Sequence, residues 1–437
     1  MGTNLLGSRS GLAHPNMVPR LPESRVDHRS EPDGVHPQTL AGIDQEVVVR
    51  FRYPVRFTRR LFDPRNATLR DVVKSNDRVR LLVVIDEGAA DAHSTLFDDV
   101  QLYCGAHADA LELPAPPLVI PGGEAIKNQA GPVDEIRTAI DIHGVDRHSY
   151  VVAIGGGAVL DAVGYAAATA HRGVRLIRVP TTVLSQDDSA VGVKNGINAF
   201  GKKNFVGSFA PPHAVLNDYD LLLTLSDRDW RAGVSEAIKV ALLKDPAFFA
   251  WIELHAGDLG DRSLPAMAHL IHRSAELHLN HIATSGDPFE LGSSRPLDFG
   301  HWAAHKLERL SHHELRHGEA VAVGIALDST YSYLTGSLAH AHWLRIIELF
   351  EALRLPIWHP DMATPGSGGR PAVLAGLEEF REHLGGRLTI MLLERIGSGF
   401  EVHELDEAVL LEASDLLRRR VEGGECEEWD PTRALAR

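Results

Sequence analysis

Ser149-Tyr150-Val151-Val152-Ala153-Ile154-Gly155-Gly156-Gly157-Ala158-Val159-Leu160-Asp161 decides the fold class. An apolar run rich in β-branched residues, closed by glycines, reads as a strand buried on both faces of a parallel sheet. Residues 158–170 then carry a helical pattern. The same order precedes it: Arg80-Leu81-Leu82-Val83-Val84-Ile85-Asp86 reads as a second buried strand, and residues 133–143 as a helix. Strand, helix, strand, helix predicts a doubly wound α/β sheet. Past about residue 225 the strand signals fade, and amphipathic stretches at 234–243, 264–282, 301–310, 318–333 and 342–353 predict an all-helical second domain. Residues 1–41 mix Pro, His, Arg, Ser and Gly without periodicity, and residues 422–437 resemble them. The expected division is a flexible leader at 1–41, an α/β nucleotide-binding domain at 42–225, a helical domain at 226–415 and a tail at 416–437.

The chain has 437 residues, 44% hydrophobic and 24% charged, enough for a large core in two domains. Its formal charge of −15 argues against a nucleic-acid partner, which needs a basic surface to displace phosphate counterions. An anionic substrate then requires a local cluster of Lys and Arg. Cys104 and Cys426 are the only cysteines, so the expectation is a reducing compartment, the cytoplasm, and no disulfide framework. No window approaches the roughly 20 apolar residues of a membrane span, which predicts a soluble protein.

Gly155-Gly156-Gly157 sits where backbone amides and a helix dipole hold a pyrophosphate, and equally where a tight turn takes glycine. Asp86, at the end of the earlier strand, is placed to accept from a ribose hydroxyl; because it precedes the glycines, the order is not the usual Rossmann one. Pro180-Thr181-Thr182, the run Gln186-Asp187-Asp188 to Lys194-Asn195, and Gly201-Lys202-Lys203-Asn204 gather lysines and asparagines between glycines, as an anion pocket or a solvated loop does. Glu236 and Lys239, three apart, share a helix face, in a site or as a surface ion pair. His301 and His305 lie one helical turn apart, with His317 following. With so few cysteines any metal is held by nitrogen and oxygen, the chemistry of an open catalytic site, and Glu236 offers the oxygen. Hydrogen-bonded core or surface histidines are the alternative.

Taken in order, Pro121-Gly122-Gly123-Glu124 with Lys127, the glycine loop through Asp161, His171-Arg172-Gly173, Pro180-Thr181-Thr182, Asp188 with Lys194, Gly201 to Asn204, Glu236 with Lys239, and the histidine segment resemble 3-dehydroquinate synthase and its relatives, the sugar phosphate cyclases. The likeness covers about residues 81–393. It implies a nicotinamide domain followed by a helical metal domain, NAD as cofactor, and a divalent metal, zinc or else cobalt, held by Glu236, His301 and His317. By the same carry-over Asp86, Glu124, Lys127, Gly156, Gly157, Asp161, Thr181, Thr182, Lys203 and Asp229 contact NAD. Arg172, Lys194, Asn204, His305 and His383 hold the substrate phosphate, with Arg172 reaching in from the partner subunit of a homodimer. Asp188, Lys194, Lys239, His305 and Asp298 are the implied catalytic set.

The departures narrow the substrate. Dehydroquinate synthases grip a substrate carboxylate with a Lys, an Arg and an Asn ahead of the first metal-binding His; here the stretch reads Asn280-His281, Ser294-Arg295 and Asp298. A carboxylate at Asp298 opposes a substrate carboxylate by several kcal/mol in a poorly solvated site, at order-of-magnitude level, yet accepts well from a polyol. The expected substrate is sedoheptulose 7-phosphate. The expected reaction is transient oxidation by NAD, phosphate elimination, re-reduction and aldol closure to a valiolone-type cyclitol, 2-epi-valiolone in preference to its 2-epi-5-epi isomer. Three readings compete: 3-dehydroquinate synthase itself, a metal-dependent polyol dehydrogenase, and a metal- and nucleotide-binding protein without chemistry.

Overall fold

A parallel sheet with helices on both faces forms the first half of the molecule, and its strands follow from β-branched runs too apolar to face water. In the computed structural model, which describes residues 44–73, 77–290 and 296–423, the strands are β1 (Val55–Thr58), β2 (Val79–Asp86), β3 (Leu111–Glu112), β4 (Leu118–Ile120), β5 (Tyr150–Gly155), β6 (Arg175–Pro180), β7 (Lys194–Ala199), β8 (Lys202–Phe209) and β9 (Ala214–Asp218). The sheet runs β1-β9-β6-β5-β2-β3, with β4 also on β2, and every pairing is parallel. Leu81, Val83 and Ile85 of β2 pack on one side with Leu96 and Val100 of the helix Leu96–Ala106. Leu82 and Val84 pack on the other with Ile136 of Ala130–Ile142 and Val159 of Gly157–Thr169. Burial on both faces is why β2 shows no polar alternation. The carboxyl ends of β2, β4, β5 and β6 lead into Asp86, Gly122, Gly155 to Gly157 and Thr181, so one edge of the sheet collects the nucleotide-type residues.

The polar strip between Lys194 and Phe209 is a strand pair rather than a loop. β7 and β8 pair antiparallel around Phe200 and Gly201, both at positive φ (52° and 71°), the geometry of a two-residue hairpin turn. Arg178 anchors it to the sheet. Fully buried on β6, it donates to the carbonyls of Ala190, Gly192 and Lys194 and to Asn195 Oδ1 at 2.7–2.9 Å.

The second half is helical. Val234–Lys244, Leu264–Thr284, His301–Leu310, His317–Leu334, His340–Ala352 and Glu407–Val421 contribute to one apolar cluster. Two features differ from the sequence expectation. An antiparallel hairpin of β10 (Ile390–Arg395) and β11 (Ser398–Val402) joins the helices, so the half is not all-helical; an apolar run as short as Ile390-Met391-Leu392-Leu393 does not distinguish strand from helix by itself. The last helix runs past residue 415, where the tail was expected to start, because Leu416 and Leu417 are buried. The expected leader and residues 424–437, with Cys426, lie outside the described residues, and Cys104 is buried and unpaired. Residues 44–50 are exposed and without regular structure, and the described residues from Phe51 onward form one compact unit. Among the described residues no helix is long and apolar enough to cross a membrane.

The helix His317–Leu334 is pressed against two other backbones. A Cβ on Gly318 would lie 1.9 Å from Ala232 O, and one on Gly324 would lie 2.0 Å from Gly300 O. Replacing Gly324 with Ala is therefore expected to cost about 1–3 kcal/mol in urea unfolding, because backbone, not a mobile side chain, must yield. Gly105→Ala, in the helix Leu96–Ala106 with open space around the new methyl, is the control and should be neutral or stabilising by up to about 1 kcal/mol.

Candidate active site

Glu236 has no solvent exposure, and its Oε1 faces two imidazoles, His301 Nε2 at 3.5 Å and His317 Nε2 at 3.4 Å. Its Oε1 has no aligned hydrogen-bond donor, while Oε2 pairs with the ammonium of Lys239. The three residues come from separate helices, and their ligating atoms lie within 4.8 Å of one another. His301 Nδ1 lies 3.1 Å from Phe299 O, which makes Nδ1 the protonated nitrogen and turns the Nε2 lone pair toward Glu236. His317 Nδ1 lies 3.1 Å from Glu308 Oε2, the carboxylate support that metal-binding histidines commonly receive. Burial alone would lower His317, but the charge of Glu308, and Glu308 and Glu236 as carboxylate acceptors, raise it to about 9. A buried carboxylate whose Oε1 faces two imidazole nitrogens is a donor set that fits a divalent cation. His305 stacks on His317, ring centroids 5.9 Å apart, and burial beside Lys203 and His301 holds it well below its usual range, hence neutral.

Lys239 stands one turn along from Glu236 and is equally enclosed. Its Nζ lies 2.5 Å from Glu236 Oε2 and 3.9 Å from Asp188 Oδ1. Burial disfavours its charge, yet Glu236, Asp188 and Asp298 together hold its pKa above the ordinary lysine value. Asp188 lies in the turn Ser185–Ser189, a π-type turn of the kind found at functional sites, and its Oδ1 is 2.8 Å from His278 Nδ1. Its neighbour Asp187 is fully buried without a hydrogen-bond partner for either oxygen; burial and the charges of Asp188 and Glu236 push it well above the carboxylate range.

At the sheet edge, Asp86 accepts from Gly88 N at 2.8 Å and lies 3.5 Å from Gly156 N. A Cβ on Gly122 would lie 2.3 Å from Asp86 Oδ1, and one on Gly157 would lie 2.7 Å from Ser189 Oγ, so the cradle depends on bare backbone there. Lys127, only 2% exposed, donates to Asp161 Oδ2 at 2.7 Å and to Asn204 Oδ1. Asn198 joins Glu124 (3.1 Å) to Asn204 N (2.8 Å). Lys203 donates to both oxygens of Glu308 at 2.8 and 2.9 Å, linking the hairpin to the histidine cluster. Thr182 bonds Ser185 Oγ at 2.7 Å, and Thr181 N bonds Gly155 O at 3.0 Å.

Other candidates are placed differently. Asp229 bonds Ser226 (2.7 Å) and faces Arg316 (3.3 Å) at the start of the helical half. Lys194 is half exposed and paired with Glu290. Arg172 follows the helix Gly157–Thr169, which begins at the glycine loop, so it sits at the opposite edge of the sheet from that loop. His383 ends the helix Ala375–His383, and its side chain is not among those described.

Two residues emerge only from the structure. Glu308 carries no motif signal and is identified by its contacts with His317 and Lys203. His278 is the second: the carboxylate-gripping stretch was aligned on Asn280-His281, yet Asn280 is exposed and His278 is the residue on Asp188. His281 is held neutral, lowered to about 4 by burial and by Lys244, His278 and Lys239. Ser294 and Arg295 lie outside the described residues.

Comparison with known proteins agrees with this geometry. The family described as 3-dehydroquinate synthase N-terminal matches residues 117–232, and 3-dehydroquinate synthase C-terminal matches residues 233–367. The 3-dehydroquinate synthase of Nitrosospira multiformis is 37% identical over 297 residues, 68% of this chain and 79% of that one. The 2-epi-5-epi-valiolone synthase of Streptomyces hygroscopicus subsp. jinggangensis 5008, solved with NAD+ and Zn2+ bound, superposes with a TM-score of 0.77 at 29% identity, covering 86% of this chain and all of that one. A 2-deoxy-scyllo-inosose synthase solved with carbaglucose-6-phosphate, NAD+ and Co2+ shares the fold, with a TM-score of 0.68, 20% identity and coverage of 84% and 96%. Two family segments that meet between residues 232 and 233, on either side of the step from sheet to helices, together with this degree of identity, establish that the chain belongs to the 3-dehydroquinate synthase family of sugar phosphate cyclases.

Proposed function

We propose that the chain cyclises sedoheptulose 7-phosphate to a valiolone-type cyclitol with loss of phosphate, as an NAD- and metal-dependent carbon–oxygen lyase. The observation that carries this reading is the acidic surround of Lys239. Lys239, the ammonium in contact with Glu236, is already shared among Glu236, Asp188 and Asp298. A substrate carboxylate brought beside Asp298 meets a like charge there, about 4 kcal/mol for a pair at 4 Å with an effective dielectric constant near 20. A hydroxymethyl ketone instead finds acceptors in Asp188 and Asp298 and a hydrogen-bonding ring in His278. The 2-epi-valiolone assignment follows the overall sequence resemblance, with the 2-epi-5-epi isomer as the competing product.

In this reading Glu236, His301 and His317 hold the cation, and the bare backbone at Gly122 and Gly155 to Gly157, with Asp86 beside it, holds the dinucleotide. So loaded, the site would have a hydride acceptor and donor and a Lewis acid for adjacent hydroxyls. The chain's own residues do the rest. Lys239, kept protonated by three carboxylates, stabilises negative charge developing on the neighbouring oxygen. Asp188 orients His278 for proton exchange with the sugar. Neutral His305, with Lys194 and Asn204, receives the phosphate, and Lys203 fixes Glu308 and through it His317. Arg172, remote from its own glycine loop, completes the phosphate site of a partner subunit in a homodimer. Binding of NAD+ and Zn2+ by the valiolone synthase of similar fold supports the cofactor assignment.

Inorganic phosphate release from a panel of sugar phosphates, with product NMR, tests the proposal. Sedoheptulose 7-phosphate should be turned over with phosphate far exceeding the NAD supplied and without NADH accumulating. Equal or faster turnover of 3-deoxy-arabino-heptulosonate 7-phosphate makes the chain a dehydroquinate synthase, and one-for-one NADH formation makes it a polyol dehydrogenase. His317→Ala should remove bound metal and activity together; metal content equal to the unmodified protein contradicts the ligand set. Replacing Asp298 with Asn should raise the relative kcat/KM for the carboxylate substrate about 10-fold or more, as removal of one like charge requires.

A further inference from the structure

Asp328 lies on the helix His317–Leu334, has no solvent exposure, and takes no part in the chemistry above. Its two oxygens are occupied separately: Oδ1 accepts from Trp302 Nε1 at 2.9 Å and Oδ2 from Gly300 N at 3.1 Å. These donors belong to the residues on either side of His301. Gly300 is left-handed at φ 78°, and a Cβ there would lie 2.6 Å from Ile325 N, so only glycine lets the two backbones touch and brings its N–H to Asp328. Gly300 N also belongs to the start of the helix His301–Leu310, the end that attracts a carboxylate. The ring of His301 is fixed in turn by the contact of its Nδ1 with Phe299 O.

One helix therefore supplies His317 directly and grips His301 from both flanks through Asp328. The spacing between the two imidazoles, 5.6 Å centroid to centroid, is set by that grip. Packing alone does not call for an acid here. Burial pushes the Asp328 carboxyl up to about 7, with only the Trp302 and Gly300 hydrogen bonds opposing the rise. A buried carboxylate is costly, and the two donors that offset the cost are the ones that flank His301.

We propose that Asp328 is a positioning residue for divalent-cation binding: by holding Gly300 and Trp302 it fixes His301 at the distance from Glu236 and His317 that a metal ion requires. The inference rests on the assignment of Glu236, His301 and His317 as the metal set. The test uses the full-length protein, with zinc affinity measured against a chromophoric chelator and the visible spectrum of the cobalt-substituted form recorded. Asp328→Asn, which turns an amide N–H toward one of the two donors, should weaken zinc affinity by about 10–100-fold, the usual effect of removing an outer-shell partner. It should also shift the cobalt ligand-field bands, while circular dichroism and NAD binding stay as in the parent. A folded Asp328→Asn protein with parental zinc affinity and cobalt spectrum overturns the inference. If that variant does not fold, Trp302→Phe, which removes one donor and keeps the ring, takes its place: weaker zinc binding supports the inference, and parental binding overturns it. Failure of the unmodified protein to bind zinc or cobalt overturns the metal set itself, and is thereby distinguishable from a failure confined to Asp328.

Discussion

A carboxylate at the centre of a protein must be answered by positive charge or donors, and the burial of Glu236 is the constraint on which this molecule turns. Leaving a carboxylate uncompensated away from water costs several kcal/mol, of that order even after relaxation. Lys239 answers it from the same helix, and His301 and His317 reach it from two others. Because Lys239 also faces Asp188, and Asp188 faces His278, the helix Leu264–Thr284 and the turn Ser185–Ser189 are drawn into the same network. One buried charge thus ties four helices to the edge of the sheet.

The link between the halves is made of lysines that the net acidity of the chain makes easy to overlook. Lys127 spans Asp161 and Asn204, and Lys203 spans the hairpin and Glu308, which in turn supports His317. Lys203 loses solvation, but Glu308, Glu124 and Asp161 more than restore its preference for the charged form. The nucleotide-type edge and the histidine cluster are therefore electrostatically one object. A change in charge at Glu308 is felt at both.

The same close coupling brings Asp298 and His278 into the field of Lys239 and Asp188. Lys239 there is already shared by three acids, Glu236, Asp188 and Asp298.

Much was legible in the linear chain because its causes are local. Continuous β-branched runs cannot face water, so 80–86 and 149–154 had to be buried strands, and glycines at 155–157 had to end one. Helical spacing placed Glu236 with Lys239 and His301 with His305, since neighbours three or four apart share a face whatever the helix packs against. What the chain could not reveal depends on long-range partners. The hairpins β7–β8 and β10–β11 exist through cross-strand pairing and anchors such as Arg178, and short runs carry no period strong enough to announce them. His278 was missed because the rotation of a 21-residue helix is set by what it packs against; a shift of two positions turns a side chain from the site to solvent, as it does between His278 and Asn280. Asp328 and Gly324 gain their meaning only where one backbone touches another 24–28 residues away, at Gly300. Local periodicity chose the elements and the side chains that share a helix face; the distances between those faces were decided by packing, because contact between helices fixes separations that no spacing along the chain encodes.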